Sequence, residues 1–225
     1  MKNLHLAPWI LATLAVCSFT MAGCVTASSP TRFFTLNAFD SLDRGSGSYA
    51  FQPAEIWPSR PSPQAIVVAV GPVTIPESVN RPEIVTQDSA HQISIHDMER
   101  WAGPLDKKVL RVLTDDLDAK LASEKFTVVA WDPSTQVNVE ARYRVMVEVT
   151  RFELSKEPGA ARFDADWVLY GPQDKVLAMR QTRRRAAVAG TGVKALVAAM
   201  SQCIMEFSNE VAETISSAEA KRRKE

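Results

Sequence analysis

The chain has 225 residues, 46% of them hydrophobic, and its 26 Lys and Arg balance 26 Asp and Glu. A charge so near neutrality excludes a broad nucleic-acid-binding or anionic-surface-binding face, so no nucleic-acid partner is expected. The composition is that of a globular domain, with roughly 200 residues left after an N-terminal signal, enough for one sizeable core.

The first element is that signal. Lys2 is followed by an almost wholly apolar run over residues 7–21, APWILATLAVCSFTM, and no acidic residue occurs before Asp40. A short apolar core ending in small residues reads as a secretory signal rather than a membrane span, and without a twin arginine the general export route is the simpler reading. The ending Met21-Ala22-Gly23-Cys24 resembles the bacterial lipoprotein box, with methionine in place of the usual leucine. It implies a signal peptide over 1–23, cleavage after Gly23, and a lipid anchor on Cys24. The alternative is an ordinary signal whose mature product starts near a cysteine. Of the three cysteines, Cys17 leaves with the signal and Cys24 carries lipid, so only Cys203 remains and no disulfide framework forms. One acyl chain holds a protein marginally, whereas the three usual in bacterial lipoproteins make the anchor permanent. Val25, where Asp tends to retain lipoproteins in the inner membrane, favours the outer membrane, facing the periplasm.

A lipidated tether covers 24–31, and its seven residues after Cys24 reach on the order of 25 Å when extended. A single periplasmic domain then spans 32–218. RFFTL (32–36) is a first strand, and 37–63 is a Gly-, Ser- and Pro-rich loop insertion whose Phe39, Tyr49, Phe51 and Trp57 suggest docking on its own domain. QAIVVAVGPVTIP (64–76) is a continuous β-branched run, the pattern of a strand buried on both faces. EIVTQ and HQISIHD form two short strands with a turn around Asp88 and Ser89. Residues 103–121 are helical, with Leu105, Val109, Val112, Leu113, Leu117 and Leu121 on one face and Pro104 in the first turn. FTVVAW is the next strand, followed by an antiparallel meander over 143–154, 162–171 and 175–188 with a turn at 171–174. A last helix covers 191–218, and 219–225 is a charged, solvated C-terminal tail. Together these give a mixed α/β class, six or seven strands in a mixed β-sheet with two long amphipathic helices packed on it.

Chemistry is sparse. His91 and His96, five apart on a strand, point to opposite faces, so no metal site is expected. Asp164 and Asp166 share a face but lie opposite the apolar one, which makes them a solvated pair. No nucleophile elbow, phosphate loop or dinucleotide fingerprint occurs, and neither an enzyme nor a cofactor is implied. Arg183, Arg184 and Arg185 read either as charge protecting an edge strand or as a docking patch for an acidic partner.

IPESVNRPEIVTQ from residue 75, then MERWAGPLDKKVLRVLTDDLDAKL, together with FFTL behind the lipid cysteine, resembles the ABC-type transport auxiliary lipoprotein component family, the family of the paraquat-inducible lipoprotein PqiC. Two departures are FFTL for the commoner tyrosine pair and Gly103 for an acidic residue. The resemblance implies an anticodon-binding-like or TolB N-terminal-like layer arrangement and a non-catalytic role. It implies a transport system that moves lipids or other hydrophobic molecules between the inner and outer membranes. The partner is then a mammalian-cell-entry (MCE) bridging protein, with a permease and an ATPase engaged indirectly and a homo-oligomeric ring as a further expectation. Arg81, Glu83 and Trp101 are the partner-binding candidates, on the grounds that Trp and Arg are enriched at hot spots. Local pairing of Arg81, Glu83, Glu99 and Arg100, with Trp101 as core support, is the competing reading. The rival function is a structural envelope lipoprotein that assists secretion or assembly without a transporter.

Overall fold

The β-branched run after residue 64 becomes the strand around which the sheet is built. A computed structural model of the protein describes residues 30–38, 65–122, 125–131, 140–156 and 159–224. The signal, Gly23, Cys24, the tether through residue 29 and residues 39–63 of the loop insertion lie outside the described residues. Residues from Thr31 onward form one compact unit.

The described residues form eight strands, β1 (Arg32–Phe34), β2 (Ile66–Thr74), β3 (Glu83–Ser89), β4 (Gln92–Trp101), β5 (Phe126–Ala130), β6 (Tyr143–Ser155), β7 (Ala160–Tyr170) and β8 (Val176–Ala187), with helices α1 (Leu105–Leu121) and α2 (Gly192–Arg222). All eight join one mixed sheet. β2 runs parallel to both β5 and β6 in the interior of the sheet, and its Val68, Ala69 and Val70 are all buried. β6, β7 and β8 form the antiparallel meander, and β8 is left as an edge strand.

Both helices cover one face. α1 packs on β2, β5 and α2, while α2 packs on β6, β7 and β8. The strand residues that alternate toward them are the core, with Tyr143, Val145, Val147 and Val149 on β6 and Phe163, Ala165, Trp167 and Leu169 on β7. Phe207 of α2 lies against the rings of Phe163 at 5.4 Å and Trp167 at 6.1 Å. Cys203 is buried in α2, and its thiol donates to the Ala161 carbonyl at 3.6 Å.

Gly71 shows how tightly β2 is held. Its φ of +127° suits glycine alone, and a Cβ there would stand 2.0 Å from the Trp131 carbonyl oxygen. The ladder between β2 and β6 shifts register here, between Val70 and Val73.

Four boundaries differ from the sequence expectation. Pro104 is the residue before α1 rather than within its first turn, because its own ψ of 130° is extended, not helical. The β3–β4 turn falls at Ala90 and His91, so His91 is not on a strand. β4 continues to Trp101 because β1 pairs with its end in parallel, Arg32 opposite Glu99 and Phe34 opposite Trp101. The expected solvated tail is the larger correction. Residues 219–222 are the last turn of α2, held there by the buried Glu219.

Candidate functional site

The two halves of the sequence motif meet at one corner of the sheet. A turn after Pro76, closed by the Val79 and Asn80 N–H groups on its carbonyl at 3.1 Å each, delivers the chain to β3. Glu83 at the start of β3 pairs with Arg100 near the end of β4, and the Trp101 N–H donates to the Pro82 carbonyl at 2.8 Å. The Ala102 N–H reaches back to Phe34 at 2.8 Å, so β1 closes the same corner.

Arg81, Glu83 and Trp101 are therefore brought together. The Glu83 carboxylate accepts from Arg81 Nε at 3.0 Å and from Arg100 Nη2 at 3.1 Å. The Arg81 hydrogen bond is the main reason its carboxyl lies below the usual carboxylate range. Trp101 is only 4% exposed and stands edge-on to Phe152, centroids 6.0 Å apart. Its rim, with Asn80, Arg81, Pro82, Gly103 and Pro104, lines a recess of about 360 Å3. The arrangement offers a shallow apolar floor with a charged lip, suited to receiving a side chain from another protein.

A second set of side chains fastens β1. Arg32 bonds to the buried Glu99, whose other oxygen meets His96 Nδ1 at 3.1 Å, and His96 Nε2 lies 2.9 Å from the Thr86 hydroxyl. The local pairing read for Glu99 with Arg81, Glu83 and Arg100 is not what forms: its carboxylate goes to Arg32 of β1 and to His96.

The arginine run of β8 splits by strand alternation. Arg184 turns inward to Glu210 of α2 at 2.7 Å, beside the Thr182 hydroxyl that links Glu210 at 2.9 Å to the Trp167 indole at 3.0 Å. Arg183 and Arg185 stay exposed on the other face of the edge strand.

Sequence reasoning missed the cluster at the far end of α2. The Glu219 carboxylate accepts from the Tyr143 hydroxyl at 2.8 Å, from Arg222 Nε and Nη2 at 2.9 and 2.7 Å, and from Arg223 Nε at 3.0 Å. These bonds, Arg222 foremost, hold its pKa down to about 2, and burial with the Glu219 contact pushes Tyr143 up to about 12. The spacing of Glu219, Arg222 and Arg223 was a legible helical signal. Tyr143, 76 positions away, was not. Among the described residues, no group of three His, Cys, Asp or Glu side chains could hold a metal ion.

The sequence model of the family described as ABC-type transport auxiliary lipoprotein component matches residues 49–212. Two solved structures share the fold. One, of an uncharacterized protein, is 18% identical with a TM-score of 0.62, and the match covers 83% of this chain and 99% of that one. The other, a Xanthomonas campestris protein of family DUF330, is 18% identical with a TM-score of 0.56, covering 72% of this chain and 94% of that one. No curated protein matches the sequence.

Proposed function

Because the chain belongs to the ABC-type transport auxiliary lipoprotein component family, we propose that it is the non-catalytic docking component of an MCE-type system that moves lipids or other hydrophobic molecules between the inner and outer membranes. In this reading Cys24 carries the acyl chains, the anchor lies in the outer membrane, and the folded unit faces the periplasm. An MCE bridging protein is the direct partner, with the permease and ATPase engaged through it, and identical subunits form a ring that continues the bridge.

The observation that carries the reading is the family match across most of the chain. The corner geometry adds a place for the contact. Trp101 is buried, so its role is to form the floor of the recess, while the exposed Asn80 and Arg81 present themselves to the partner.

The test is co-purification of the full chain with MCE proteins encoded in the same genome. Asn80→Glu combined with Arg81→Glu reverses the charge of the lip and touches no core residue. Capture of the MCE protein falls several-fold while the melting temperature stays unchanged. An intact chain that captures no MCE protein defeats the transport reading and leaves the transporter-independent envelope role.

A further inference from the structure

Both helices cover the same face of the sheet, and among the described residues no helix packs on the opposite face. At the β1 edge of that opposite face, large apolar side chains are open to solvent. Phe33 is 66% exposed, and Ile93, Ile95 and Met98 are exposed beside it. Strand alternation, together with the register shift of β4 between His96 and Arg100, explains the grouping. Arg32 and Phe34 of β1 pair with Glu99 and Trp101 toward the helices, so Phe33 and its partner Arg100 point the other way. Met98 lies next to this pair, with its sulfur 3.9 Å from the Thr31 hydroxyl, just where the chain enters the sheet. Ile93 and Ile95, opposite Gln87 and Val85, continue the row along β4, over on the order of 15–20 Å.

We infer that this row, Phe33, Met98, Ile95 and Ile93, is a membrane-contact surface that lies in the headgroup region of the lipid layer holding the Cys24 anchor. The inference rests on the lipidation proposed above. A tether of seven residues compels β1 to stay within on the order of 25 Å of the acylated cysteine. No other strand carries that constraint, and the exposed apolar row begins at the point where the tether joins the fold. Arg100, on the same face as Phe33, adds an exposed guanidinium group to the row, a residue type that settles at headgroup depth beside buried apolar neighbours. Four scattered apolar side chains would bind a free membrane weakly. A short tether raises their effective concentration into the millimolar range, which is enough to engage a weak patch.

The test uses the full-length lipidated protein in vesicles of phosphatidylethanolamine and phosphatidylglycerol. Single variants Phe33→Cys, Met98→Cys and Met179→Cys are labelled with an environment-sensitive fluorophore, Cys203 being buried. Met179 is exposed on β8, at the far edge of the sheet from β1. Spin-labelled lipids quench the probes at 33 and 98 several-fold more strongly than the probe at 179, and aqueous iodide shows the reverse order. Equal quenching at all three positions overturns the inference while leaving the anchor intact. Probes at 33 and 98 that are already shielded in the Cys24→Ser chain without lipid also overturn it, because a second copy then covers the row. Mass analysis separates the two readings. A chain that lacks acyl mass on Cys24 and fails to join vesicles overturns both.

Discussion

Glu83 pairs with two arginines and Glu219 with three, yet the two carboxylates do different things. Glu83 bridges Arg81 and Arg100 at the motif corner, with its side chain 17% exposed and both guanidinium groups open to water. Charges so placed are screened, and the pair contributes little to folding. Glu219 is 1% exposed, and beyond its arginines it accepts a hydrogen bond from the buried Tyr143 at the start of β6. A buried carboxylate must replace the water it loses, and the Tyr143 hydroxyl ties that requirement to the docking of α2 on β6. The chemistry of the two groups is alike. Burial separates a surface available to a partner from a fastening that holds the last helix turn.

The strongest way to break the contrast is to show that the motif corner also matters for stability, but through its tryptophan. Trp101→Ala empties the space against Phe152 and costs about 3–5 kcal/mol, lowering the melting temperature by on the order of 10 °C. A near-wild-type melt places the indole outside the core. Next comes Glu219→Ala, which strands the Tyr143 hydroxyl and costs about 2 kcal/mol, read as a lower urea midpoint at unchanged slope. Glu219→Gln retains part of the bonding and falls between.

The same cluster predicts a pH response. Glu219 is held from its ordinary 4.5 down to about 2, so its contribution is full above the unfolded value and is lost as pH falls between these two values. Tyr143 is raised from 10.0 to about 12, so its contribution is full below the unfolded value and is lost as pH rises across that window. Melting temperatures of wild type and Glu219→Gln therefore converge toward pH 2, and a gap that stays constant with pH rejects the assignment. A smaller effect concerns the interior beside this helix. Burial pushes the Cys203 thiol up to about 11, so a polar thiol reagent labels the folded chain far more slowly than the unfolded one. The smallest effect is expected for Glu83→Gln, with no measurable change in the melt at physiological salt. A clear loss there makes the two carboxylates alike after all.

Much of this architecture was written in local pattern. The continuous run of β2, the apolar stripe of α1 and the alternation of β7 each bury what their period predicts, because a helix or strand exposes its face through residues close in sequence. The candidate residues Arg81, Glu83 and Trp101 were also legible as a group, but their division of labour was not. Trp101 forms part of the core because β1 and the Phe152 ring close over it, and neither neighbour is adjacent in sequence.

The sequence by itself determined the elements, the near-neutral charge, the lone interior thiol and the family motifs, all properties of residues read singly or at short spacing. The tertiary structure alone decided which charges are buried. Glu219 sits in a run, EAKRRKE, that reads as a solvated tail until Tyr143 arrives from another strand, and Arg184 faces inward only because Glu210 stands opposite it on α2. The physical reason is that desolvation depends on what covers a group. That cover comes from partners far away along the chain, brought there by pairing and packing that local propensity does not encode.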